Sequence, residues 1–125
     1  MDVNGKNWNK EVLAAELPVV VDFWHNQCVW CKALAPLYET LSKEYKNKAK
    51  FVKLNILESH ENSNLAEKYG IMSTPTIKVF CKGQVIGEAI GYMPKEKLKD
   101  EIDRILERSE ACLAQSTKLS KGSAK

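Results

Sequence analysis

The chain has 125 residues, 44% apolar and 28% charged, with a net charge of +3. Its length fits one domain with its own core, and its composition is that of an ordinary globular chain. Nineteen basic residues are interleaved with 16 acidic ones, which argues against a nucleic-acid partner and for a solvated mixed surface.

Residues 4–17 read as a short helix. Asn7 or Asn9 caps it, Glu11 sits early, and Trp8, Val12 and Leu13 share a face. Pro18 ends it. Val19-Val20-Val21-Asp22-Phe23-Trp24 then reads as a strand buried on both faces. Asp22 is anomalous there, because a carboxylate in an apolar strand is costly without a partner or a task. A second helix is expected over about 28–45, with Leu34, Leu37, Tyr38, Leu41 and Tyr45 as its buried stripe. Pro36 inside it removes one ladder hydrogen bond and is expected to kink it.

After a connector, residues 51–56 form a strand interrupted by Lys53, and residues 58–64 form a polar loop. A short helix over 65–69 closes on Gly70 in the left-handed conformation. Residues 76–81 are a strand, and Lys82-Gly83-Gln84 turns it into a hairpin with 85–90. A last helix starts at Pro94 and packs through Leu98, Ile102, Ile105 and Leu106. The domain is placed at residues 1–110, with 111–125 as a flexible basic tail. Two strands joined by a helix make a parallel unit and the last two make a hairpin. The fold class is α/β: one mixed central sheet with helices on both faces, in three layers.

The chemistry concentrates where the strand at 19–24 meets the helix. Cys28 and Cys31 occupy the first helical turn, where unpaired N–H groups and the helix dipole favour a thiolate. They are one turn apart, so their sulfurs can meet. Cys28 is assigned as the attacking thiolate and Cys31 as the thiol that resolves the mixed disulfide. The competing readings are a static disulfide or half a metal site. Structural zinc usually takes four ligands, and His25, His60, Cys81 and Cys112 supply no second pair at suitable spacing, so no metal and no cofactor are expected. Asp22, with its proton affinity raised by apolar surroundings, fits a general base for Cys31. Lys53 on the neighbouring strand is its expected ionic partner; a buried pair kept for packing is the alternative. His25 either lends charge to the thiolate or is an ordinary turn histidine. Cys81 reads as a small apolar filler at a strand end. Cys112, near the tail, is a candidate for an intermolecular disulfide.

Val21-Asp22-Phe23-Trp24, Cys28-x-x-Cys31-Lys32, Ala35-Pro36, Lys53-Leu54-Asn55, Tyr69-Gly70-Ile71, Thr74-Pro75-Thr76, and Gly83 followed by Gly91 occur in order. Together they make the chain resemble the thioredoxin family from about residue 8 to residue 106. The resemblance implies a thioredoxin fold and reduction of protein disulfides with electrons from a reductase. It also implies a cis Pro75 that brings Thr74 beside the cysteines, where its backbone can pair with an extended substrate. Trp30, Thr74, Pro75 and Gly91 are the expected substrate-binding residues; for Trp30, covering an apolar face is an equal reading. One departure bears on the chemistry. The family's Trp-Cys-Gly-Pro-Cys is here Gln27-Cys28-Val29-Trp30-Cys31, and the residues between the cysteines tune redox potential in this family.

Three functions stay open at this point: a disulfide reductase, a disulfide oxidase or isomerase of the same fold, and a non-enzymatic binding module or metal carrier. The expected partners are disulfide-containing proteins and an electron-donating reductase, with the chain as a monomer. No apolar run approaches a membrane span, and residues 1–6 lack a signal-peptide pattern. The four cysteines are too few for a disulfide scaffold. The cytoplasm is the expected location.

Overall fold

The β-branched run becomes the central strand. In a computed structural model, which describes the backbone of residues 1–123 and the side chains of residues 1–113, β2 spans Val19–Trp24 and all but its last residue are buried. β1 (Asp2–Val3), β3 (Lys50–Asn55), β4 (Thr76–Cys81) and β5 (Gln84–Ile90) complete a sheet in the order β1-β3-β2-β4-β5. β3 is parallel to β2 and to β1; β4 is antiparallel to β2 and to β5.

Alternation along β2 splits the core in two. Val20 faces α1 (Val29–Glu44) and α3 (Lys95–Ser123), meeting Leu34, Tyr38, Leu41, Leu98, Ile102 and Ile105. Val19, Val21 and Phe23 face the other way, toward Trp8, Val12 and, at the margin, Leu65 and Tyr69. Leu65 belongs to α2 (His60–Lys68). This is the mixed three-layer α/β arrangement that the sequence predicts. α1 runs on through Pro36.

Several expectations need correction. The helix expected over 4–17 is a π-helical turn, Asn9–Leu13. Asn4 Oδ1 accepts the N–H groups of Lys6 at 2.8 Å and Asn7 at 3.1 Å, a local turn that competes with helix. Asp2 and Val3 are an edge strand that no local pattern in the sequence signals. α2 starts at His60 rather than 65, because Ser59 Oγ accepts the Asn62 N–H at 3.0 Å and caps it. Its inward residue is polar: Asn62 is fully buried, accepting from Gly5 N–H at 2.8 Å and donating to the Asn55 carbonyl at 2.9 Å. The chain past residue 110, expected as a tail, continues in α3 to Ser123; residues 124 and 125 lie outside the described residues. Gly70 does take the left-handed conformation, with φ +67°, at the end of α2.

The helical stripe puts Tyr38 in the core, and its ring lies there. Its hydroxyl, however, reaches the carbonyl oxygens of Val20 at 2.8 Å and Val52 at 2.6 Å, linking α1 to the two parallel strands. Burial holds this phenol well above the usual tyrosine range, and the nearby Asp22 charge adds to the effect.

Candidate active site

β2 leaves the sheet at Trp24 and passes into a polar turn. Gln27 N–H donates to His25 Nδ1 at 3.2 Å, and Cys28 N–H donates to the His25 carbonyl at 3.3 Å. His25 is thus held as part of the turn. The turn delivers Cys28 to the N-cap of α1 in extended backbone, where its Sγ accepts the Cys31 N–H at 3.1 Å. Cys28 and Cys31 are joined by a disulfide, with Cα atoms 5.2 Å apart. Cys28 is 8% exposed and Cys31 3%, so the first sulfur is the more accessible one. An N–H aimed at that sulfur and a helix start behind it both stabilise negative charge there.

The segment before β4 closes the site from the other side. The Thr74–Pro75 peptide bond is cis, as the resemblance implied. The Thr74 carbonyl oxygen lies 3.4 Å from Cys28 Sγ. Gly91, at φ +87°, donates its N–H to the Pro75 carbonyl at 2.8 Å. That backbone conformation suits glycine, and it ties the end of β5 to the cis-proline loop. Trp30 projects outward from α1, 59% exposed, with its indole 5.3 Å from the ring of Tyr92. Tyr92 is a site feature that sequence reasoning missed; its one signal was an aromatic residue in the connector after Gly91.

Asp22 is 1% exposed, and neither carboxyl oxygen has a hydrogen-bond partner among the described residues. Burial pushes its pKa from 3.8 up to about 7, against the opposing charge of Lys53. Lys53 is the register partner of Asp22 across β2 and β3, yet no ion pair joins them. The Lys53 ammonium lies 4.5 Å from the Trp24 ring centroid instead, a cation–π placement. Lys53 therefore reaches Asp22 through its field, not through the contact pair that the sequence suggested.

The structure brings Cys28, Cys31, Thr74, Pro75, Gly91 and Trp30 to one edge of the molecule, and Asp22 lies buried in β2, the strand that leads into this site. Cys81 and Cys112 are elsewhere, and they pair with each other in a second disulfide. This corrects the reading of Cys81 as a filler and of Cys112 as an intermolecular link. Among the described residues, no group of three or more His, Cys, Asp or Glu side chains is placed to hold a metal ion. No helix among them is long and apolar enough to cross a membrane.

A family model described as thioredoxin matches residues 1–104. The chain belongs to the thioredoxin family. A thioredoxin from Rickettsia felis is 43% identical over 103 residues, covering 82% of this chain and 95% of that one. One from a Synechocystis species is 39% identical over 104 residues, covering 83% and 94%. A chloroplastic M-type thioredoxin from Pisum sativum is 39% identical over 104 residues, covering 83% of this chain and 59% of its own. Family and geometry agree on the chemistry. This thioredoxin-family chain is a protein-disulfide oxidoreductase that reduces disulfides through the Cys28–Cys31 pair.

Proposed function

We propose that Cys28 is the nucleophile, Cys31 the resolving thiol and Asp22 the general base. In the dithiol form, the Cys28 thiolate attacks one sulfur of a substrate disulfide, breaking that bond and releasing the substrate's second sulfur as a thiolate. A mixed disulfide remains. Asp22 takes the Cys31 proton, directly or through water. The Cys31 thiolate then attacks Cys28, closing the enzyme disulfide and freeing the reduced substrate. The observation that carries this reading is the Cys28 sulfur at a helix N-cap, facing the Cys31 N–H; the buried Asp22 on the preceding strand, its pKa raised to about 7, supports it. An acid titrating there can both accept and return a proton near neutral pH. Lys53 tunes that titration by its charge.

Trp30, Thr74, Pro75 and Gly91 bind the substrate, which lies extended along the Thr74 backbone. The partners are disulfide-containing proteins and an electron-donating reductase. The chain works as a monomer, without nucleic acid or membrane, in the cytoplasm. Val29-Trp30 between the cysteines supports a second reading, oxidase or isomerase of the same fold, and the reduction potential of the Cys28–Cys31 couple separates the two.

The test uses insulin as the disulfide substrate. Reduced Cys31→Ser is expected to stall as a covalent adduct with insulin through Cys28, visible on a non-reducing gel. Reduced Cys28→Ser is expected to give none. An equal adduct from Cys28→Ser, or no adduct from Cys31→Ser, overturns the assignment of roles.

A further inference from the structure

Disulfide exchange through Cys28 and Cys31 leaves a second cysteine pair without a role. Cys81 ends β4 and is 0% exposed. Cys112 is half-buried on α3. They are disulfide-bonded over a sequence separation of 31, with Cα atoms 6.6 Å apart, inside the span that disulfides bridge. α3 otherwise holds to the sheet by apolar packing of Leu98, Ile102 and Ile105 and by Arg108, which donates to the Ile86 carbonyl of β5 at 2.9 Å.

We infer that Cys81–Cys112 is a structural staple that stays closed while Cys28–Cys31 cycles, fixing α3 to the central sheet. Access is the first reason. An exchanging thiolate must reach a sulfur in line with the S–S bond, and the fully buried Cys81 offers no approach, so attack falls on Cys112. The leaving group is the second. Attack on Cys112 expels the Cys81 thiolate into a buried position, where the charged form is costly and its departure slow. The local field is the third. Cys112 Sγ faces the Cys81 carbonyl oxygen at 3.6 Å, an acceptor that favours S–H over a thiolate. It also lies deep within α3, far from the helix start. Cys28 Sγ also meets a carbonyl oxygen, that of Thr74 at 3.4 Å, but it has in addition a backbone N–H directed at it from a helix start.

Closing the staple balances as a two-electron exchange with a small-molecule disulfide. The Cys112 thiolate attacks one sulfur of that disulfide, breaks its S–S bond and forms a mixed disulfide. The Cys81 thiolate then attacks Cys112, forms Cys81–Cys112 and releases the second sulfur. Two protein thiols are oxidised, one disulfide is reduced to two thiols, and the two protons pass to them. The cross-link then restricts the unfolded chain.

The test equilibrates the full-length oxidised protein in dithiothreitol buffers of graded reduced-to-oxidised ratio. Acid quench, alkylation and peptide mass spectrometry then read each cysteine. Cys81–Cys112 is expected to reach half-reduction at a ratio at least about tenfold more reducing than Cys28–Cys31. Cys112→Ser is expected to lower the thermal midpoint of the oxidised protein by roughly 10 °C. Its insulin reduction should stay within about twofold of wild type, the two sites being far apart. A second couple that opens together with the first, or before it, overturns the inference. So does an oxidised Cys112→Ser protein that melts with the wild type. The titration uses the unaltered chain and reads thiols, not activity, so it decides the matter even if the variant fails to fold or the catalytic roles proposed above are wrong.

Discussion

β4 has a disulfide near each end, and the two ends differ in what surrounds the sulfur. Its Thr76 end follows Pro75 and Thr74, whose carbonyl lies against Cys28. Its other end is Cys81 itself, about 17 Å away by the rise of a strand. At the first end the sulfur receives an N–H besides meeting the Thr74 carbonyl, and it sits at a helix start. At the second end the sulfur meets a carbonyl oxygen and sits inside a helix. The covalent bond is the same in both places. What differs is whether the fold stabilises the thiolate that breaking the bond must create. Reactivity is therefore a property of the position, and the comparison can be broken one group at a time.

The largest effect belongs to Cys28. Cys28→Ser removes the one sulfur supplied with an N–H donor and an approach from solvent. Insulin reduction is expected to fall by at least about 1,000-fold, to the rate of the dithiol alone. If Cys81→Ala causes a loss of similar size in a folded protein, the two ends are not functionally distinct and the comparison fails.

Asp22 gives the next effect; among the described residues it is the only buried carboxylate. Its pKa rises from 3.8 to about 7 in the fold. The folded state therefore holds the proton more tightly than the unfolded chain. The stability this contributes is fully present below pH 3.8 and is lost as pH rises through about 7. The separation of the two values corresponds to roughly 4 kcal/mol. An amide in place of the carboxyl carries no ionisation. Asp22→Asn is therefore expected to match wild type near pH 4 and to exceed it by up to that amount near pH 8. Urea unfolding at the two pH values measures this. A stability difference that stays constant between them would mean that Asp22 does not titrate in this window, and that the acid is not what distinguishes the first end.

The first end was largely legible in the sequence and the second was not, for physical reasons. Val19 to Trp24 reads as a strand because β-branched residues fill both faces, and Asp22 stands out against them. Cys28 and Cys31 read as a pair because helical spacing brings them together locally. Cys81 and Cys112 are 31 positions apart, and no local period links them; only the packing of α3 on the sheet does. α2 escaped in its first turn because its inward residue, Asn62, is buried by hydrogen bonds and not by hydrophobicity. β1 is two residues long and exists through pairing, with Lys53 N–H donating to the Met1 carbonyl at 2.9 Å. The sequence places Lys53 on the correct strand, but whether its ammonium turns to a carboxylate or to an aromatic ring is a matter of tertiary geometry. Trp24, two residues along from Asp22, won that competition at 4.5 Å.

The smallest effect tests whether the first end is defined by field alone or also by surface. Trp30 is exposed, and the Tyr92 ring packs against it at a tilt of 37°, which holds the indole without burying it. A substrate side chain laid on that ring gains apolar contact worth about 1 kcal/mol, a gain made on docking and not at the sulfur. Trp30→Ala is therefore expected to raise KM for insulin about fivefold and leave kcat unchanged. Reduction of a small-molecule disulfide, too small to lie across both rings, should not change. Tyr92→Ala should produce part of the same effect, because it frees the indole to rotate. The double variant should be little worse than Trp30→Ala alone, since the two rings act as one surface. If the small disulfide is slowed as much as insulin, Trp30 acts on the reactivity of the couple itself. The surface would then be part of the same local field that separates Cys28 from Cys112.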